Sequence, residues 1–397
     1  MNDVARFQSG VPGSSLAGSL PHYASVEDVI QRERPVLPVY CLFPQRFVEA
    51  AARFKNFPGD AMYAVKANPA PQVLDQVHAA GTRHFDTASL AEIELIRRRF
   101  PDAHCHFMAP VRIVGAAHTA FHQHGVTDYV VDCDFELDKL LAETGGGKGV
   151  CIFVRISTPL GGALLELSSK FGTTQEDAAR LLKRVVEAGV TPGLTFHVGS
   201  QCLSPLSYAK AIEMARRTAE LAGIEIAALD IGGGFPGPYH NNDVPPHHSY
   251  FDAIREALAI LPGQPRLMCE PGRALIAEGV SVITQVVLRK GDTLYLNDGI
   301  YGSFDELTLP GWTADYPLRV FRIDGEGHAA VQPMGRTPFR VYGPTCDTLD
   351  VLPKPLMLPD DIRPGDHIVV DAIGAYSVAL RTNFNGFFPD KWVIVGN

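Results

Sequence analysis

No stretch of the 397 residues holds the roughly 18 consecutive apolar side chains that a membrane-spanning helix needs. Basic residues are in the minority: 35 Lys and Arg against 44 Asp and Glu leave a formal charge of −9. No basic stripe breaks that balance, which makes nucleic acid and anionic membrane surfaces poor partners. Cysteine is sparse. The seven, at 41, 105, 133, 151, 202, 269 and 346, are odd in number and form no CxxC pair. That argues against a disulfide framework or a cysteine-type zinc site and fits a reducing, cytoplasmic setting. The opening MNDVARFQSGVPGSSLAGSLP has no basic segment followed by an apolar one, so a secretory signal is not expected. With 46% hydrophobic and 20% charged residues, the composition excludes wholesale disorder.

A chain this long carries about two to three domains. Residues 1–24, rich in Gly, Ser and Pro, read as a loose arm, and PVLPVYCLF (35–43) reads as a strand. From there short apolar runs alternate with helical stretches. The runs are AMYAVKA (61–67), RHFDTA (83–88), HCHFMAP (104–110), DYVVD (128–132), GVCIFVRIS (149–157), LTFHVGS (194–200), AALDIGGG (227–234) and RLMCEPGR (266–273). The clearest helix spans 175–189, with Ala178, Leu181, Leu182, Val185 and Val186 on one stripe and Thr174 and Asp177 at N-cap spacing. Ser89 and Glu92 repeat that box before AEIELIRRRF. Repeated strand–helix units at this count predict a (β/α)8 barrel over 45–279, with an open doubly wound sheet as the alternative. After residue 280 the pattern becomes strands joined by Gly/Pro-rich turns. This predicts a second, all-β domain made of 280–397 plus 25–44.

Barrel chemistry gathers at the C-terminal strand ends. Lys66 closes the run MYAVK, and a partly desolvated lysine there can have a lowered pKa and capture an aldehyde; a snorkelling lysine is the plainer reading. GGGFPG (232–237) matches a dinucleotide fingerprint by letter, but PGPYHNNDVPP follows where a helix should open. Bare glycine N–H groups serve either an anion cradle or a tight turn. EPGR (270–273) adds an arginine suited to phosphate oxygens. His197 stands where an imidazole could stack on a flat ligand or be a satisfied core group. HCH (104–106) and HH (247–248) lack a third ligand at metal spacing, so no metal is expected.

Together these segments resemble the fold-type III pyridoxal-phosphate (PLP) decarboxylases, the ornithine/lysine decarboxylase-like group with an alanine racemase-like fold. The carrying stretches are YAVKAN (63–68), FDTAS (85–89), SSKFG (168–172), FHVGSQ (196–201), DIGGGFPG (230–237), EPGR (270–273), NDGIYGSF (297–304), GPTCDTLD (343–350), GAY (374–376) and FNGF (384–387), in the family's order. The resemblance implies that Lys66 bonds covalently to PLP, Glu270 faces the pyridine nitrogen and His197 stacks on the ring. Ser200, Gly233, Gly234, Arg273 and Tyr376 would hold the phosphate, and Asp86 and Arg155 would surround the ring. Cys346 and Asp347 would reach the site from a neighbouring subunit of a homodimer, Cys346 as proton donor, with Asp347 and Tyr301 at the substrate.

The implied reaction is decarboxylation of ornithine or lysine to a diamine, as in polyamine metabolism. Asp347 carries that preference, since diaminopimelate decarboxylases typically have Glu in the matching turn. The acid often found after YGSF is displaced here, with Leu309 and Pro310 near its position; Asp305, Glu306 or Asp315 are the substitutes, and Trp312 could reshape the pocket. The alternatives are a decarboxylase of diaminopimelate, arginine or an amino-acid conjugate, a catalytically inactive binding homologue, and a racemase.

Overall fold

The computed structural model describes residues 20–396, apart from 160 and 336. Most of the expected loose arm lies outside the described residues. Its last part does not behave as an arm: His22–Tyr23 forms β1, paired in parallel with Ile394 and Val395. Two residues carry no readable period, so sequence alone misses this strand. The helix α1 (Val26–Glu33) was missed as well. Ser25 caps it by accepting the Asp28 N–H at 3.2 Å, and Val26, Val29 and Ile30 are its buried face. β2 (Val39–Leu42) lies inside the 35–43 run and is buried throughout.

The alternating region then follows the apolar runs, except that the strand expected at 194–200 lies earlier, at 191–195. β3 (Asp60–Ala64), β4 (His84–Thr87), β5 (His104–Phe107), β6 (Asp128–Val131), β7 (Cys151–Arg155), β8 (Ala163–Leu165), β9 (Thr191–Thr195), β10 (Ser200–Cys202), β11 (Ala228–Asp230) and β12 (Arg266–Cys269) follow in order. β8 and β10 pair antiparallel with each other. The other eight close into a parallel barrel among the described residues, β12 returning to β3 through Met268 and Asp60. The expected (β/α)8 barrel is present, and the open doubly wound sheet is excluded by that closure. β11 is followed by no helix until His247, which also removes the dinucleotide reading of GGGFPG.

The helices outside the ring are α2 (Pro44–Phe54), α3 (Pro71–Ala79), α4 (Leu90–Arg99), α5 (Ala116–His124), α6 (Asp134–Glu143), α7 (Gln175–Glu187), α8 (Pro205–Ala222), α9 (His247–Leu258) and the short α10 (Arg273–Ile276). α7 begins where the capping pattern says, with Thr174 accepting the Asp177 N–H at 3.2 Å. Its buried stripe is Ala178, Leu181, Leu182 and Val185; Val186 is exposed, because the stripe turns past it at 3.6 residues per turn. Met62, Met108, Phe153 and Met268 fill the barrel interior.

The second region is built on β13 (Val280–Lys290), which pairs with β2, β14 (Thr293–Leu296) and, further along the chain, β19 (His367–Val370). β15 (Leu318–Ile323), β16 (Ala329–Gln332), β17 (Thr337–Tyr342), β18 (Leu356–Leu358) and β20 (Lys391–Val395) complete the sheet. The all-β expectation for the C-terminal part is met. Among the described residues, no helix is long and apolar enough to cross a membrane.

Candidate active site

The strands of the barrel end around a cavity of about 280 Å³. Lys66 enters it from a 3-10 turn (Val65–Ala67) just beyond β3, not from the strand itself. β3 and β4 are neighbours, with Ala64 opposite Asp86. That register puts the Lys66 Nζ 2.8 Å from the buried Asp86 Oδ2. Burial alone would depress the lysine, but Asp86 and then Glu270 outweigh it, and the net pKa is raised. This corrects the sequence expectation of a lowered value, which took desolvation without the opposing carboxylate.

Glu270 follows β12 at the base of the cavity. Burial, then the neighbouring Asp230 and Asp86, push its carboxyl well above the usual range. Asp230, at the end of β11, is pushed up to about 6 by burial, although Thr195 Oγ1 donates to it at 2.8 Å and the Gly232 N–H at 3.0 Å. Two buried carboxyls side by side cannot both ionise without a cation between or beside them. Sequence reading overlooked Asp230. A carboxylate inside an apolar strand was its one visible mark.

His197 also lines the cavity. Its Nδ1 accepts the Gly199 N–H at 3.0 Å, which leaves Nε2 as the protonated nitrogen of a neutral ring. Burial, then Arg155 and Lys66, hold its pKa well below the ordinary value. Arg155, at the end of β7, stands over Phe171 of the SSKFG stretch, 5.6 Å from the ring centre.

The opposite wall is glycine backbone. Gly234 has φ 99°, and a Cβ there would sit 2.4 Å from the Gly199 carbonyl oxygen. A Cβ on Gly233 would come within 2.7 Å of the Glu270 carbonyl oxygen and 3.1 Å of His197 Nε2. Only glycine fits both positions. Ser200 adjoins them, its Oγ 3.3 Å from Arg273 Nη2. Tyr376 reaches in from the second region. Its N–H donates to the Ala67 carbonyl at 2.8 Å, and its ring centre lies 4.9 Å from the Arg273 guanidinium carbon.

The ten residues read from the sequence as cofactor contacts therefore border one cavity. Cys346, Asp347 and Tyr301 do not. They form a separate cluster in the second region, where the Tyr301 hydroxyl donates to Asp347 Oδ2 and the exposed Cys346 takes its N–H to Asn385 Oδ1 at 3.0 Å. Asp350 builds that cluster, accepting the Ile300 N–H at 3.0 Å, the Thr345 N–H at 3.0 Å and the Thr345 hydroxyl at 2.7 Å. The Leu349 N–H and the Tyr301 hydroxyl keep the Asp347 carboxyl below its usual range.

The acids after YGSF are placed elsewhere than expected. Glu306 is buried against Arg273, and Asp315 lies on the surface 4.0 Å from Lys354. Trp312 stacks on Arg273 at 4.4 Å. HCH (104–106) serves the barrel's other end, where His106 Nδ1 meets Asp128 Oδ2 at 2.6 Å and its Nε2 meets His84 at 3.0 Å.

A family model described as pyridoxal-dependent decarboxylase, pyridoxal binding domain, matches residues 43–277. The lysine/ornithine decarboxylase of Selenomonas ruminantium is 34% identical over 341 residues, 84% of this chain and 82% of that protein. The lysine/ornithine decarboxylase of Vibrio vulnificus, solved in complex with putrescine, has a TM-score of 0.77 and 31% identity over 94% of this chain and 99% of that one. The arginine decarboxylase of Paramecium bursaria Chlorella virus, solved bound to agmatine, has a TM-score of 0.80 and 25% identity over 93% of this chain and 99% of that one.

Proposed function

The chain belongs to the pyridoxal-dependent decarboxylases, and from that premise we propose that it removes the α-carboxylate of ornithine or lysine, releasing CO2 and the diamine. The enzyme is a PLP-dependent carboxy-lyase. The observation that carries the residue assignment is the single cavity into which Lys66, Glu270, His197 and the glycine wall converge.

The cavity fits PLP on its own chemistry. Gly233 and Gly234 bring bare backbone to the cavity, held so close to the Glu270 and Gly199 carbonyls that neither can carry a Cβ. The Arg273 Nε is buried without a partner. Glu270 is a buried acid that would gain a cationic neighbour if a pyridinium nitrogen stood beside it. Ser200, Gly233, Gly234, Arg273 and Tyr376 would hold the phosphate, and Lys66 the aldehyde carbon. When bound, PLP supplies the electron sink into which the Cα–carboxylate bond breaks.

The chain's own groups do the rest. Asp86 holds the Lys66 ammonium in place until its proton leaves Nζ. Glu270, whose carboxyl burial and Asp230 push upward, would pass its proton to a ring nitrogen placed beside it and stay as the carboxylate that keeps that nitrogen protonated. Neutral His197 would offer a flat face to the ring without adding charge, and Arg155 stands beside it over Phe171. Orientation of the scissile bond, rather than acid–base power, is the protein's main contribution.

Cys346, Asp347 and Tyr301 complete the site from a second copy in a homodimer. What supports this is that none of the three lines the Lys66 cavity of its own chain. With a second copy so placed, Cys346 would be the proton donor to the substrate's Cα and Asp347 the carboxylate that meets the distal ammonium. A second reading, arginine as substrate, is supported by the similarity to the viral arginine decarboxylase solved bound to agmatine. Incubation of protein and PLP with L-ornithine, L-lysine, L-arginine and diaminopimelate, with mass identification of the amine, tests both readings. Putrescine or cadaverine supports the first and agmatine the second; retention of every carboxylate contradicts both.

A further inference from the structure

Arg273 stands at the phosphate end of the cavity already paired with an acid. Nη1 donates to Glu306 Oε2 at 2.9 Å and Nη2 to Glu306 Oε1, and both side chains are 3% exposed. The Tyr316 hydroxyl donates to Oε2 at 2.6 Å, and Nη1 also donates to the Tyr239 hydroxyl at 2.8 Å. The guanidinium lies between the rings of Trp312 and Tyr376. Its unit of positive charge is thus matched before any phosphate arrives.

A phosphate monoester loses its second proton near pH 6 and carries between one and two negative charges at neutrality. A lone buried arginine beside it favours the dianion. A buried arginine–carboxylate pair does not, because the carboxylate repels the second charge in a medium that screens poorly. The other groups around Glu306 add no cation. Tyr239, Tyr316 and Tyr376 are phenols that burial pushes upward, and Asp305 is an acid pushed upward by burial and by Glu306. The glycine N–H groups and Ser200 contribute dipoles only. Of the cavity's remaining cations, Lys66 is paired with Asp86, while Arg155 and Lys170 flank Phe171.

We propose that Glu306 sets the charge of the cofactor phosphate, so that PLP is held here with its phosphate singly charged across neutral pH. This rests on the reading that the cavity binds PLP. Glu306 is in this account a charge-balancing residue that acts on the phosphate through Arg273.

The test is phosphorus NMR of the holoenzyme from pH 6 to 9, with a PLP dissociation constant from absorbance titration. The wild-type phosphate should stay at the monoanion position through pH 7, titrating about two units or more above a free phosphate ester. In Glu306→Gln the resonance should sit at the dianion position throughout, and PLP at pH 8 should bind about tenfold more tightly. A wild-type resonance fixed at the dianion position would overturn the proposal, and that result needs no variant. So would a Glu306→Gln protein that binds PLP equally or more weakly, the outcome if Glu306 merely holds Arg273 in place. Absence of a bound-PLP absorbance in the wild type would instead remove the reading of the cavity, and this inference with it.

Discussion

The Lys66 ammonium sits 2.8 Å from the Asp86 carboxylate, and the register of β3 against β4 makes that contact. Asp86 keeps the proton on Nζ against the pull of burial. A raised lysine pKa means less neutral amine at any given pH, and only neutral amine attacks an aldehyde.

Asp86→Asn should therefore move the pH profile of covalent PLP capture down by about one unit or more, with faster capture at pH 7. Stopped-flow absorbance of apoprotein mixed with PLP measures it. An unchanged profile would show that Asp86 does not govern this proton.

Glu270 and Asp230 make the apoprotein's stability depend on pH with a definite sign. Their folded pKa values are raised, so the native state keeps protons that the unfolded chain releases above about pH 4. Stability from these groups is present at low pH and is lost as pH rises, through about 6 for Asp230 and beyond the usual carboxylate range for Glu270. The slope is about 1.4 kcal/mol per pH unit for each proton involved. Denaturant titrations between pH 4.5 and 7 should show a shallower decline in Glu270→Gln than in the wild type. Parallel curves would contradict the assignment.

Asp347→Asn should raise KM for ornithine or lysine about tenfold or more while leaving the bound-PLP spectrum unchanged, since a charge-assisted hydrogen bond is worth about 1.5–3 kcal/mol. Steady-state kinetics decide this, and an unaltered KM removes Asp347 from the distal-amine site.

The separation of Cys346 from the Lys66 cavity predicts complementation. Lys66→Ala and Cys346→Ala should each be nearly inactive alone. Mixed and allowed to exchange subunits, they should recover about a quarter of wild-type activity, because half the dimers are mixed and each has one intact site. No recovery on mixing, despite demonstrated exchange, would place both residues in a site built by one chain.

Much of the fold and of the site is legible in the sequence. Six of the barrel strands sit inside the apolar runs, since a strand buried on both faces must be continuously apolar; β3 starts one residue before its run, and β9, opening on Thr191, Pro192 and Gly193, overlaps its run only at Leu194 and Thr195. Thr174 and Ser89 marked helix starts because a side-chain oxygen there satisfies a free N–H. What escaped the sequence was long-range or too short to be periodic. β1 is two residues long and is defined only by its partner β20. Glu306 reads as a candidate for the distal amine because its partner, Arg273, lies 33 positions away and no local pattern links them. The lysine's pKa was misjudged for the same reason: Asp86 is 20 positions off and comes near only through strand register.

Borohydride reduction of the protein with PLP, followed by peptide mass spectrometry, tests the central claim most directly. The account predicts one pyridoxyl adduct per chain, on Lys66. An adduct on any other lysine, or none, would contradict it.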